Sequence, residues 1–173
     1  MSGRRAVFLD RDGVLNERPA PHDYVRGVDG LVLLEGAPEA VRRFADAGYA
    51  VVVVSNQRGI ARGLVSWETL RAIEEVIRAA SGVEMAFYYC PHDLEDGCDC
   101  RKPQPGLLLR AAVELGLDLS ESVMIGDAET DVEAGRAAGT RTILIGAGGA
   151  ETVADSVVVS LVAAADAVLG PAA

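Results

Sequence analysis

The sequence predicts an α/β fold, a mostly parallel sheet covered by helices on both faces, and three observations carry that prediction. Apolar runs of strand length alternate with amphipathic segments of helix length along the 173 residues. Residues 50–54 form a continuous β-branched run, the pattern of a strand buried on both faces. Polar clusters fall repeatedly just past such runs or just before a helix, the edge at which open parallel sheets build ligand sites.

Taken in order, residues 6–10 read as the first strand, closed by Asp10-Arg11-Asp12-Gly13. A long polar and irregular segment, 17–35, follows, and loops of that length in a compact domain are usually functional or mobile. Pro38 then sits where a helix begins, Val41, Phe44 and Ala45 mark its buried face, and Gly48 ends it. The strand at 50–54 ends in Ser55-Asn56-Gln57. Ser66 is a good N-cap for a helix through about Ala80, with Leu70, Ile73 and Ile77 on one face. Residues 85–89 make a third strand, followed by a loop holding all three cysteines of the chain and then Arg101-Lys102-Pro103. Pro105 opens a helix closed by Gly116, with Leu108, Ala111, Ala112 and Leu115 facing the core. A strand at 123–125 ends in Gly126-Asp127, a helix runs over 129–138, and a strand over 142–145. Residues 157–159 add an edge strand and a terminal helix starts near Leu161. No internal repeat or linker interrupts this order. We therefore expect one domain over 1–173, Rossmann-like, with no insertion large enough to form a cap.

Composition narrows the function. Hydrophobic residues make up 50% of the chain, which argues against disorder. No uncharged apolar segment reaches the ~20 residues that span a bilayer, and no secretion signal is evident, so a cytoplasmic location is expected. The formal charge of −10 discourages nucleic-acid binding but leaves room for a small phosphorylated substrate, because local charge sets such a site. We expect a monomer.

The polar clusters suit phosphoryl transfer. Asp10 and Asp12 stand at a strand end, where acids also serve as ordinary turn residues; as a close pair they need a divalent cation to offset their charge. Asp10 can act as nucleophile and Asp12 as general acid and base. Ser55 and Asn56 supply neutral donors, Lys102 a point charge for phosphoryl oxygens, and Asp127 completes a carboxylate set for Mg²⁺.

Asp10-x-Asp12-Gly13-Val14, Ser55-Asn56-Gln57, Arg101-Lys102-Pro103 and Gly126-Asp127-x-x-x-Asp131, in that order, resemble the four motifs of the haloacid dehalogenase superfamily of phosphatases. The resemblance implies an aspartyl-phosphate on Asp10 and acid–base work by Asp12. It implies Ser55 and Lys102 as phosphoryl ligands, and Mg²⁺ on Asp10, the Asp12 carbonyl and Asp127, with Asp131 supporting. The runs Ser55-Asn56-Gln57-Arg58-Gly59-Ile60-Ala61-Arg62-Gly63 and Cys90-Pro91-His92…Cys98-Asp99-Cys100-Arg101-Lys102-Pro103 are most similar to the D-glycero-D-manno-heptose 1,7-bisphosphate 7-phosphatases. The histidinol-phosphate phosphatases share the cysteine loop and the Arg-Lys-Pro. Ala128 departs from the Lys that heptose enzymes often carry there.

Cys90, His92, Cys98 and Cys100 form a closed ligand set for a structural zinc ion. Free buried cysteines, or a disulfide that would leave one cysteine unpaired, are the alternatives. We expect zinc to fix this loop so that Arg101 and Lys102 face the phosphate. Without a cap, recognition falls to three loops, 17–35, 58–65 and 90–101. Arg101 is placed to meet a second anionic group or a hydroxyl, or else to pair with Asp99 at the surface. Arg58 and Tyr24, with Arg62 and Arg26, are further candidates that serve equally well as solvated loop residues; His22 receives no role. The leading expectation is a Mg²⁺-dependent phosphatase acting on a small sugar bisphosphate. Histidinol-phosphate phosphatase, polynucleotide 3′-phosphatase and a non-catalytic, zinc-stabilised interaction module are the competing readings.

Overall fold

A computed structural model describes residues 3–148 and 151–172. Six parallel strands, β1 (Ala6–Leu9), β2 (Ala50–Asn56), β3 (Ala86–Cys90), β4 (Val123–Gly126), β5 (Arg141–Ile145) and β6 (Ser156–Val158), lie in the order β3-β2-β1-β4-β5-β6. The chain leaves β1 in both directions across the sheet, so the switch point falls between β1 and β4. Ligands bind at that crevice in folds of this kind.

Alternation along the strands feeds two cores. Val7, Leu9, Val51, Val53 and Ile125 pack against α1 (Ala37–Asp46), α2 (Trp67–Ser81) and α5 (Leu161–Leu169) through Phe44, Ile73, Ile77 and Leu161. Ala6, Phe8, Val52, Val54 and Met124 face the opposite side, where Leu107, Leu108 and Ala111 of α3 (Gly106–Leu115) and Ala134 of α4 (Glu129–Ala138) cover them. Each central strand is thus buried on both faces, the physical reason for its unbroken apolar run. Among the described residues no helix is long and apolar enough to cross a membrane.

The predicted elements are all present, and their differences are local. β1 stops at Leu9, which leaves Asp10 just beyond the ladder. β3 is shifted by one residue and includes Cys90, so the first cysteine sits on a strand end rather than in the loop. Pro105 is the N-cap residue and α3 begins at Gly106; Ser66 caps α2 by accepting from the Thr69 amide at 3.0 Å. Within 17–35 the regular structure is a single 3-10 turn, Val28–Gly30.

Candidate active site

Three neighbouring strands deliver the site. Asp10 follows β1, Ser55 and Asn56 close β2, and Asp127 follows β4, all at the carboxyl edge of the sheet. Asp131 comes from the first turn of α4, where its Oδ2 accepts from the amides of Asp127 and Ala128, both at 3.1 Å. Those amides are unpartnered donors of a helix start, so the carboxylate caps α4 while its other oxygen faces the site. The close fit explains Gly126: a Cβ there would collide with the Asp131 side chain.

Lys102 joins the clusters. Its side chain is almost wholly buried, with Nζ 3.0 Å from Asp10 Oδ1, 2.6 Å from Asp131 Oδ1 and 2.9 Å from the Val54 carbonyl, so its three protons meet three acceptors. Burial alone would lower the Lys102 pKa, but Asp10 and Asp131 outweigh it and the group is raised and charged. Asp10 is pushed up to about 6, chiefly by burial, with Lys102 opposing and Asp131 and Asp12 adding repulsion. Burial also raises Asp127, against the pull of Arg18 and with a further push from Asp10.

Asp12 is held separately. Arg11, 0% exposed, donates to it from Nε at 3.2 Å and Nη2 at 2.9 Å, Asn16 donates at 2.9 Å, and Gln57 at 3.3 Å. Gln57 also donates to Ser55 Oγ at 3.0 Å, tying the second cluster to the first. Gly13 has a φ of 86°, and a Cβ on it would run into the Asp127 carboxylate. A glycine there provides both the left-handed turn and the room.

Asn56 is placed differently from the expectation that its amide faces the phosphoryl group. Its Nδ2 donates to the Lys102 carbonyl at 3.1 Å while its Oδ1 accepts from the Lys102 amide at 3.0 Å. This reciprocal pair fixes the lysine backbone, so the side chain positions Lys102.

A cleft of about 360 Å³ opens above these groups, lined by Asp10, Asp12, Ser55, Asn56, Lys102 and Asp131 below, and by Arg18 to Tyr24, Arg58 and Arg101 at the sides. Tyr24, Arg58 and Arg101 all border this cleft. Arg58 is ion-paired with Asp93 at 2.5 Å, and Arg101 donates to the His92 carbonyl at 3.5 Å. Arg26 pairs with Asp23 on the exposed surface, and Arg62 stands 3.8 Å from Asp93. Sequence reasoning missed Arg18, whose Nη2 lies 2.6 Å from Asp127 Oδ1, and the buried Arg11. The signals were an arginine in the irregular segment and one set between two acids just past the first apolar run.

Carboxylate oxygens of Asp10, Asp127 and Asp131 lie within 4.8 Å of one another. Three carboxylates face two cations, Lys102 and Arg18, while Asp12 is balanced by Arg11, so this group of hard oxygen donors retains the charge that suits a divalent ion such as Mg²⁺. Cys90, His92, Cys98 and Cys100 converge just as tightly: Cys90 Sγ to Cys98 Sγ is 3.6 Å, and His92 Nδ1 is 3.5 Å from Cys90 Sγ and 3.2 Å from Cys100 Sγ. A tetrahedral zinc site with ordinary bond lengths places its donors roughly 3.5–3.8 Å apart, so the cluster has the dimensions of one. No sulfur pair is bonded. Burial and the neighbouring thiols push Cys100 up to about 12, and burial raises Cys90. Burial opposes ionisation of Cys98, but hydrogen bonds from the Arg101 amide and the other thiols lower it.

The HAD-hydrolase-like family profile matches residues 99–166. The D-glycero-beta-D-manno-heptose-1,7-bisphosphate 7-phosphatase of Pasteurella multocida is 40% identical, over 84% of this chain and 83% of its own. The protein of the same name from Haemophilus ducreyi is 38% identical, over 92% and 96%. Among solved structures, the D,D-heptose 1,7-bisphosphate phosphatase of B. bronchiseptica, crystallised with magnesium and phosphate, superposes with a TM-score of 0.86 at 33% identity, covering 95% of this chain and 98% of that one. The chain belongs to this family of heptose bisphosphate phosphatases, phosphoric monoester hydrolases built on the HAD-like hydrolase fold.

Proposed function

We propose that this protein removes the C7 phosphate of D-glycero-β-D-manno-heptose 1,7-bisphosphate with the help of Mg²⁺, in the cytoplasm, as a single capless domain. The observation that carries the reading is the buried Lys102 bridging Asp10 and Asp131 at the floor of an open polar cleft. The names of the relatives supply the sugar.

In this reading an Asp10 oxygen attacks phosphorus, the bond from phosphorus to the C7 oxygen breaks, and Asp12 gives its proton to that leaving oxygen. Water then attacks the aspartyl-phosphate, Asp12 takes its proton, and inorganic phosphate and free Asp10 remain. Lys102 and Ser55 hold the non-bridging oxygens, and Asn56 keeps Lys102 in place. Asp10, Asp127, Asp131 and the Asp12 carbonyl would hold the magnesium, which supplies charge stabilisation to the phosphoryl oxygens when bound. Cys90, His92, Cys98 and Cys100 bind a structural zinc ion that sets the loop carrying Arg101, and Arg101, Arg58 and Tyr24 border the sugar.

Phosphate release with Mg²⁺ tests the reading, with the heptose β-1,7-bisphosphate and histidinol phosphate compared at matched concentration. We expect kcat/KM to favour the bisphosphate by about 10²-fold or more, or about 2.7 kcal/mol of transition-state discrimination. Preference for histidinol phosphate overturns the substrate and leaves the chemistry.

A further inference from the structure

We propose that Arg18 is a specificity-determining residue: it neutralises Asp127, yields that carboxylate to the divalent ion, and then binds the substrate phosphate that is not being removed. The proposal rests on the function proposed above. Its basis is the allocation of charge around the cleft. Lys102 is held at the floor by Asp10, Asp131 and the Val54 carbonyl, where it serves the phosphate being removed. Arg11 is buried on Asp12, Arg58 is held by Asp93, and Arg101, also at the cleft, donates to the His92 carbonyl at 3.5 Å and borders the sugar. Ala128, beside Asp127, contributes only a methyl group. Arg18 alone among the arginines lining the cleft is paired with a carboxylate of the three-acid cluster.

That pairing competes with a metal. Asp127 Oδ1 already accepts from Arg18 Nη2 at 2.6 Å, and an ion bound at the same oxygen repels the guanidinium. Displacement costs little, because the Arg18 side chain is 56% exposed whereas Asp127 is nearly covered. The backbone does not need to move: Pro19 restricts Arg18 to extended conformations, and Pro21 and the left-handed His22 fix the wall of the cleft behind it. A released side chain therefore sweeps within the cleft, where a forked cation matches a phosphate. Metal and bisphosphate binding then favour one another, because the first frees the ligand of the second.

The test uses the full chain and Arg18→Gln. Titration with Mg²⁺ alone, followed by calorimetry, should give a Kd about threefold or more tighter for the variant, since no internal cation has to leave. In turnover, KM for the heptose bisphosphate should rise about tenfold or more, and much further than KM for the corresponding 7-monophosphate, so the preference between the two collapses. Arg18→Lys should restore part of it. Unchanged or weaker Mg²⁺ binding in Arg18→Gln overturns the competition, and equal losses on both substrates overturn the specificity role, leaving Arg18 as a support for Asp127. A wild-type enzyme indifferent to the heptose bisphosphate overturns the functional reading and the substrate half of this proposal. The metal titration, which needs no substrate, then decides the competition by itself.

Discussion

Asp10, Asp12, Lys102, Asp127 and Asp131 are held by the strands, a helix start and one another. Cys90, His92, Cys98 and Cys100 stand in a loop where Cys90 alone belongs to a strand, and their sulfur and imidazole atoms face one another at 3.2–3.6 Å. The first group is organised by the core, since main-chain amides and a saturated lysine fix its geometry. The second is tied to its surroundings by loop contacts: the capped 3-10 turn at Leu94–Asp96, the Arg58–Asp93 pair and the Gln57 amide donating to the Cys90 carbonyl at 2.8 Å. Its four donors converge between them. Two sites side by side on one rim thus differ in what surrounds them: core-held charge in one, a converging set of metal donors on a loop in the other.

The largest effect should come from Asp10→Asn, which separates chemistry from architecture in the first region. Turnover should fall by about 10⁴-fold or more if Asp10 is the proposed nucleophile, because that group is lost while the rest of the site stays. Stability should not fall with it. Burial holds the Asp10 carboxyl at about 6, above its ordinary value, so the fold disfavours the charged form. The cost is fully present above about pH 6 and disappears below the unfolded value near 3.8. Removing the charge should therefore recover up to about 3 kcal/mol at neutral pH, a net figure in which the Lys102 attraction is already included, and nothing in acid. Urea unfolding without added divalent ions, near pH 7 and below pH 4, measures this. A variant that unfolds at neutral pH would show that the core alone does not organise the first region.

Removing the proposed zinc, or one of its donors through Cys100→Ser, should act next most strongly and in the reverse pattern. We expect a clear drop in the unfolding temperature and a loss of about tenfold or more in kcat/KM, with Arg101 and Lys102 losing their fixed approach. Metal analysis of the purified protein comes first, then turnover after chelation and after zinc is restored. Zinc affinity should weaken as pH falls, because thiols held above their ordinary range, Cys100 near 12, compete with the ion for their own protons. Chelation that strips zinc and leaves turnover unchanged would detach the loop from the reaction.

The same contrast explains what could be read in the sequence. Strand and helix periods, the glycines and the acids after β1 and β4 are local signals, so the sheet, its edges and both donor sets were legible before any contact was known. The partners were not. Asn56 turns to the backbone of Lys102, 46 residues away, and Arg18 reaches Asp127 across 109 residues. Periodicity says which face of an element is buried, whereas these pairings depend on how two loops meet. The segment 17–35 could be marked as a recognition loop, yet nothing in its composition distinguished Arg18 from Arg26, which pairs only with exposed Asp23. Arg11 was hidden for the opposite reason: a charged residue in a strand-to-loop turn is ordinarily solvated, and here it is buried beneath Asp12.

Asp93→Asn should have the smallest effect and gives the finest test of the contrast. Asp93 is the protein-made alternative to a metal in the loop: it accepts from Arg58 and from the Leu94 amide, and caps the 3-10 turn Leu94–Asp96. Its carboxyl is held below the usual range by the Leu94 amide first and Arg58 second, so it remains charged through the neutral range. A half-buried pair at the surface of a loop is still partly screened by water and salt. If the four metal donors set the loop, Asp93→Asn should lower the unfolding temperature by a small fraction of the Cys100→Ser loss and leave zinc stoichiometry untouched. High salt should imitate it in the wild-type protein. A loss as large as that of the cysteine variant would mean that ion pairs shape the loop and the metal only occupies it, which would bring the two regions under one rule.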